Sequence, residues 1–296
     1  MTMKIGFIGL GIMGKPMARN LMKKGHTLVV SGHNKAVAAE FEKDGATVFE
    51  TPREIAANSD IVITMLPNSP QVEEVVLGKD GVIEGAKKGS CVIDMSSIAP
   101  LSSRKIAAEL EKVGVDMLDA PVSGGEPKAI DGTISVMVGG KQEVFDKYKD
   151  VIGCMAASVV RTGDIGAGNA TKLANQIIVA INIAAVSEAL TLAAKVGVEP
   201  ELVYKAIRGG LAGSTVLDAK APMMMDRNFK PGFRINLHIK DLKNVLDTSH
   251  EVGVTLPLTA SVMEIMQALK ADGHEAEDHS SIVRYYEKLD NIIVKR

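Results

Sequence analysis

The sequence of 296 residues contains no tryptophan, and its aromatic residues amount to only 3%. Proteins that hold nucleic-acid bases need aromatic platforms and a basic surface. Here 34 Lys and Arg face 36 Asp and Glu, for a net charge of −2, so nucleic acid is not an expected partner. Only two cysteines occur, Cys91 and Cys154, and neither belongs to a C-x-x-C pair. That excludes a disulfide scaffold and fits a reducing compartment. His33, His238, His250, His274 and His279 stand in no metal-ligand spacing, so no metal is expected. A long apolar run is also lacking. The most apolar stretch, residues 177–186, is interrupted by Asn182 and followed by Glu188, whereas a span needs about 20 nearly uninterrupted apolar residues. The start carries one Lys4 before a short apolar run, without the pattern of a signal peptide. The expectation is a soluble, cytoplasmic protein with no membrane partner.

What is present is glycine, 28 residues, in a chain that is 46% hydrophobic and 24% charged. This is the balance of a globular protein long enough for two domains of about 150 residues each. The first half alternates short β-branched runs with helical patterns, the signature of a parallel sheet with crossover helices. Strands are expected over residues 4–8, 27–31, 61–65, 91–94, 116–118, 134–138 and 158–161, with helices over 12–24, 71–77 and 102–113. Such a series folds as a doubly wound α/β sheet. After a glycine-rich stretch at 163–168 the texture changes. Residues 169–196 read as one helix without Pro or Gly, apolar on more than one side. Helical patterns follow at 201–208, 214–225, 239–252, 258–271 and 281–289. The expected domains are therefore residues 1–163, α/β, and 164–296, all helical. The apolar long helix also suggests a homo-oligomer, dimer or tetramer.

Gly9-Leu10-Gly11-Ile12-Met13-Gly14 follows the first strand and opens the first helix. In a dinucleotide site the first glycine permits a tight turn, the second lets backbone approach a pyrophosphate, and the third lets helix and strand pack closely. The helix N-terminus then faces the phosphates. An enzyme strict for NAD carries an acidic residue at the end of the second strand. That position is Gly32, followed by His33, Asn34 and Lys35. Neither a carboxylate for NAD nor an Arg for NADP stands there, though His33 and Lys35 could partly serve a 2′-phosphate. The preference stays open, and loss of the usual carboxylate leans slightly toward tolerating the phosphate. Leu66 and Pro67 follow one strand, and Ser96 and Ser97 another; strand C-termini are where open α/β sheets bind ligands, although turn chemistry alone explains such residues.

Ser123, Gly124 and Gly125 end a further strand in a small-residue loop suited to an anion such as a substrate carboxylate. Lys172 and Asn175 stand three residues apart near the start of the long helix and so share a face. A buried Lys is a proton donor near neutrality, because desolvation disfavours its charged form. A solvated first-turn Lys is the competing interpretation.

Together these segments resemble the β-hydroxyacid dehydrogenases over nearly the whole length. Phe7-Ile8-Gly9-Leu10-Gly11-Ile12-Met13-Gly14 is similar to the family's cofactor motif, and residues 119–125 to its substrate motif. Gly163-x-x-Gly166-x-Gly168-x-x-x-Lys172-x-x-Asn175 resembles its catalytic motif, and Lys240-Asp241-Leu242 a fourth. The resemblance implies a Rossmann-type doubly wound sheet followed by an all-α domain entered through a long helix. It implies NAD(P)H-dependent, reversible reduction of a small semialdehyde, with tartronate semialdehyde and D-glycerate the expected pair. 3-Hydroxyisobutyrate and glyoxylate or succinic semialdehyde are the alternatives. Lys172 would be the general acid and base and Asn175 its neighbour on the substrate. Ser123, Gly124 and Gly125 would hold the carboxylate, with Lys240 beside both nicotinamide and substrate. Gly9 to Gly14, His33, Asn34, Leu66, Pro67, Ser96 and Ser97 would line NAD or NADP. A non-catalytic dinucleotide-binding module is the alternative from another class, and it leaves Lys172, Asn175 and Lys240 without a use.

Overall fold

Nine short strands carry the first part of the chain: β1 Lys4–Ile8, β2 Thr27–Ser31, β3 Thr47–Phe49, β4 Ile61–Thr64, β5 Cys91–Asp94, β6 Asp116–Asp119, β7 Val122–Ser123, β8 Ile134–Gly139 and β9 Ala156–Gly163. The computed structural model describes residues 2–296. The strands form one sheet in the order β3-β2-β1-β4-β5-β6-β8-β7, with β9 beside β8. From β3 through β6 every pairing is parallel. The order 3-2-1-4-5-6 is that of a doubly wound dinucleotide-binding sheet, whose crevice opens where the strand order reverses. Here the reversal falls between β1 and β4.

The central strands are buried on both faces. Ile5, Phe7, Leu28, Val30, Ile61, Ile63 and Ile93 point into one core, and Ile8, Val29, Val62 and Val92 into the other. That is why these strands read as unbroken apolar runs. Burying each such side chain contributes about 1.5–3 kcal/mol. β8 departs from the expected parallel pattern and runs antiparallel to β6 and β7. Between β6 and β8 lie β7, which pairs antiparallel with β8, and the short helix Gly125–Asp131.

Sequence periodicity leaves out several elements that the structure contains: helix Lys35–Lys43, strand β3, helix Pro52–Ala57, helix Val82–Gly85, strand β7, helix Gly125–Asp131 and helix Gln142–Gly153. β3 is a three-residue edge strand and half exposed, so it carries almost no pattern. Two of the omitted helices had signals. Thr51 and Glu54 form a complete capping box around Pro52, the S/T-x-x-E spacing of a helix start. Val144, Tyr148, Val151 and Ile152 mark the buried face of Gln142–Gly153 at helical spacing.

Two compact units are distinguished, one ending at Lys172 and the other Leu173–Arg296. The helix Ala167–Lys195 runs through the division, whereas the sequence pattern changes earlier, at residue 163. Helices Pro200–Ile207, Thr215–Met225, Ile235–Val252, Pro257–Ala271 and Val283–Asp290 follow it. By length and composition alone the helix Ala167–Lys195 is apolar enough to cross a membrane, with mean hydropathy 2.0. Its Ala180, Ile183, Ala184 and Leu190 are core residues of the second unit, packed with Leu217, Met224, Leu242 and Met266.

Close approach fixes the turn after β1. A Cβ added at Gly14 would lie 1.8 Å from the Gly9 carbonyl oxygen and 3.1 Å from the Phe7 ring. Gly14→Ala is expected to lower unfolding stability by about 1–3 kcal/mol through overpacking, read as a reduced urea midpoint at unchanged slope.

Candidate active site

Gly9 has φ +109°, and a Cβ there would meet the Met65 carbonyl at 2.2 Å, so only glycine fits. Around Gly11 nothing lies within 4 Å of an added Cβ, which leaves bare backbone facing open space. The helix Gly14–Lys23 that follows starts without a side-chain cap and without an acidic residue in its first turn. An uncapped helix start with bare backbone beside it suits a pyrophosphate. A concavity of about 420 Å³ adjoins the turn, lined among others by Gly11, Ile12, Lys15 and Arg19. The turn therefore fits a dinucleotide.

Beside it, the ends of β4 and β5 are tied together. The Thr64 hydroxyl donates to Asp94 Oδ1 at 2.8 Å, and the Ser96 N–H donates to the same oxygen at 3.1 Å. Ser96 is fully buried, and its hydroxyl accepts the Leu66 N–H at 2.8 Å. Ser69 Oγ likewise accepts the Ala99 N–H at 3.1 Å. Ser96 thus locks the loop after β4 to the loop after β5, while Ser97 is half-buried and Pro67 exposed. His33 and Asn34 are exposed; the Asn34 side chain caps helix Lys35–Lys43 by accepting the Val37 N–H. Ser123 is half-buried, and Gly124 reaches φ +138° at the entry to helix Gly125–Asp131.

The start of the long helix is pinned to this edge of the sheet. Asp119 is fully buried at the end of β6. Its Oδ1 accepts the Gly166 N–H and its Oδ2 the Asn169 N–H, both at 2.7 Å. Asn169, also fully buried, accepts the Ile98 N–H at 3.1 Å and donates to Ser103 Oγ at 3.0 Å. Burial pushes the Asp119 carboxyl up to about 7, against the pull of the Asn169 and Gly166 N–H donors and reinforced by nearby Asp94. Lys172 stands one turn further along this helix and is buried, 7% exposed. The solvated-lysine interpretation is thereby removed.

In the second unit a polar chain links two expected residues through two unexpected ones. Asn175 Nδ2 donates to Gln176 Oε1 at 2.7 Å, Gln176 Nε2 donates to Asp241 Oδ2 at 2.5 Å, and Lys240 Nζ pairs with Asp241 Oδ1 at 2.7 Å. Gln176 and Asp241 are both buried. Gln176 had no sequence signal beyond lying next to Asn175. Asp241 lies within the quoted Lys240-Asp241-Leu242, and a carboxylate next to a candidate Lys was the available clue. His238 and His279, far apart in sequence, meet with Nδ1 atoms 2.9 Å apart in a buried cluster with Phe233. No grouping of three or more His, Cys, Asp or Glu suited to a metal occurs among the described residues.

Comparison with known proteins agrees with these features. Residues 4–163 match the family model of the NAD-binding domain of 6-phosphogluconate dehydrogenase, and residues 166–286 that described as NAD-binding of NADP-dependent 3-hydroxyisobutyrate dehydrogenase. The chain belongs to the β-hydroxyacid dehydrogenase family and is an oxidoreductase acting on CH–OH groups with a nicotinamide dinucleotide. It is 44% identical to the 2-hydroxy-3-oxopropionate reductase of Escherichia coli, covering 98% of this chain and 99% of that protein. Similarity extends to the 2-(hydroxymethyl)glutarate dehydrogenase of Eubacterium barkeri, 38% identical over 99% of this chain and 98% of that protein. The solved structure of Mycobacterium tuberculosis 3-hydroxyisobutyrate dehydrogenase with L-serine superposes with a TM-score of 0.91 at 32% identity, covering 97% and 99% of the two chains.

Because the folded Asp119 carboxyl titrates above its ordinary value of 3.8, its protonation supports folding at acid pH, and that support is lost as pH rises through about 7. Asp119→Asn should therefore flatten the decline of Tm between pH 5 and 8. It also turns an amide NH₂ toward one backbone N–H donor, lowering stability by about 1–3 kcal/mol at pH 5. Both effects are read from thermal melts across pH.

Proposed function

We propose that this enzyme reduces tartronate semialdehyde to D-glycerate, reversibly and at the expense of NADH or NADPH, in the cytoplasm and as a homo-oligomer. The observation that carries the reading is the buried Lys172 on a helix whose first turn is clamped by Asp119 and Asn169. Support for the substrate comes from the 44% identity to a 2-hydroxy-3-oxopropionate reductase over almost the full length of both chains.

In this reading residues 1–163 are the dinucleotide-binding domain and 164–296 the helical substrate and oligomerisation domain. Gly9 to Gly14 cradle the pyrophosphate, with His33, Asn34, Leu66, Pro67 and Ser97 along the rest of the cofactor and Ser96 holding Leu66 in place. The bound nicotinamide supplies the hydride that reaches the aldehyde carbon. Lys172 donates a proton to the aldehyde oxygen as it becomes a hydroxyl, and in the oxidative direction takes that proton back. Ser123 Oγ and the backbone of Gly124 and Gly125 hold the substrate carboxylate. Asn175, oriented by Gln176, hydrogen-bonds a substrate hydroxyl, while Lys240, held by Asp241, faces the reacting end. Fixing donor and acceptor in one geometry supplies much of the rate.

3-Hydroxyisobutyrate is the second reading, favoured by human 3-hydroxyisobutyrate dehydrogenase at 35% identity and by the superposition described above. Homo-oligomerisation finds support in Ile178, Ala185 and Leu192, exposed at seven-residue intervals on one face of the long helix.

Lys172→Ala should lower kcat by about 100- to 10,000-fold, the usual contribution of general acid–base catalysis, with the dinucleotide dissociation constant unchanged. An active variant would remove Lys172 from the mechanism. Compared side by side, kcat/KM for tartronate semialdehyde should exceed that for methylmalonate semialdehyde and succinic semialdehyde; a higher value for either of the others reassigns the substrate.

A further inference from the structure

The second strand ends in Gly32, where a dinucleotide-binding sheet ordinarily presents the carboxylate that holds the adenosine ribose. The neighbouring strand fills that place. Ser31 is in register with Phe49, and the Gly32 N–H donates to the Phe49 carbonyl at 2.9 Å. Glu50, the next residue, therefore leaves β3 beside Gly32. A Cβ built on Gly32 would lie 2.8 Å from Glu50 Oε1, 3.0 Å from Cδ and 3.1 Å from Oε2. Gly32 itself is buried although both residues after it are exposed. The Glu50 carboxylate thus rests over the strand end from which an acidic side chain at position 32 would project.

We propose that Glu50 is the ribose carboxylate of this chain, displaced from the end of β2 to the end of β3, and that it makes the enzyme prefer NADH to NADPH. A carboxylate at this place accepts hydrogen bonds from the two ribose hydroxyls and repels a 2′-phosphate. Lys35 is the nearest cation, 3.1 Å from Glu50 Oε1. Both side chains are more than half exposed, so the pair is weak and opens for a ligand. In the free protein the Lys35 charge is matched by Glu50 and offers a 2′-phosphate little. The inference rests on dinucleotide binding at the Gly9–Gly14 turn and adds a residue that turn does not contain.

The test is equilibrium titration of NADH and of NADPH, read by nicotinamide fluorescence without substrate, on the wild type, Glu50→Gln, Glu50→Ser and the double variant Gly32→Asp/Glu50→Ser. The wild type should bind NADH more tightly. Glu50→Gln and Glu50→Ser should each weaken NADH by about tenfold, the size of a lost charged hydrogen bond, and tighten NADPH. Gly32 has no positive φ, so an Asp fits there once Glu50 is shortened, and the double variant should recover the NADH preference. That recovery separates a lost carboxylate from a disturbed loop. A wild type that favours NADPH, or a ratio unmoved by the Glu50 substitutions, overturns the proposal alone. A wild type that binds neither dinucleotide overturns it together with the reading it rests on.

Discussion

The carboxylate of Asp119 holds the start of the long helix against the end of the sheet. It stands at the end of β6 with one oxygen on the Gly166 N–H and the other on the Asn169 N–H. A helix start offers backbone donors and a positive dipole end, and a remote carboxylate here takes the place of a local cap. Asn169 then extends the clamp to the loop after β5 through Ile98 and to Ser103. The glycines of this segment follow from the same contact. A Cβ at Gly168 would meet the Asp119 carbonyl at 2.4 Å and the Met137 carbonyl at 2.5 Å, and one at Gly139 would meet Asp119 Oδ1 at 2.3 Å. They are there because the helix sits flush on the sheet. At Gly168 the absence of a side chain is a requirement for contact.

This clamp gives a physical sense to the burial of Lys172. A long flexible side chain loses rotamer entropy when ordered, and a general acid must nonetheless be placed within hydrogen-bond reach of its target. Pinning the backbone one turn earlier removes the largest source of displacement before the side chain itself is considered. The same logic recurs with different atoms around Asn175 and Lys240. There Gln176 and Asp241 take up hydrogen-bonding capacity that would otherwise let either side chain swing.

Local sequence carried the parts of this molecule that rest on local physics. The central strands announced themselves because both faces are buried, and the long helix because Pro and Gly are absent from its body. The Gly9–Gly14 turn was legible since each glycine answers a separate steric demand, and the distances at Gly9 and Gly14 bear those two demands out. What escaped was short, exposed or non-local. β3 has three residues and little burial. The antiparallel course of β8 depends on which strands lie beside it. Asp119 could be quoted as part of a motif, but its partners lie 47 and 50 residues away, beyond any periodic pattern. Gln176 is silent in sequence because its partner Asp241 lies 65 positions on.

The cofactor side shows the same limit in sharper form. Scanning the end of β2 finds glycine where a carboxylate belongs, which leaves NAD or NADP undecided with a slight lean toward tolerating the 2′-phosphate. Yet the ligand meets a surface, and in a parallel sheet the surface at one strand end is shared with its neighbour, about 4.8 Å away. A side chain leaving β3 can reach the space above β2 provided nothing on β2 occupies it, and glycine leaves it vacant. The empty position and the occupied one are therefore a single feature: Gly32 admits Glu50, whose carboxylate lies close against it. An acidic residue at position 32 together with Glu50 would set two like charges within a few ångströms, at a repulsive penalty. One carboxylate at this corner is thus the stable arrangement, and the register of two strands decides which residue supplies it.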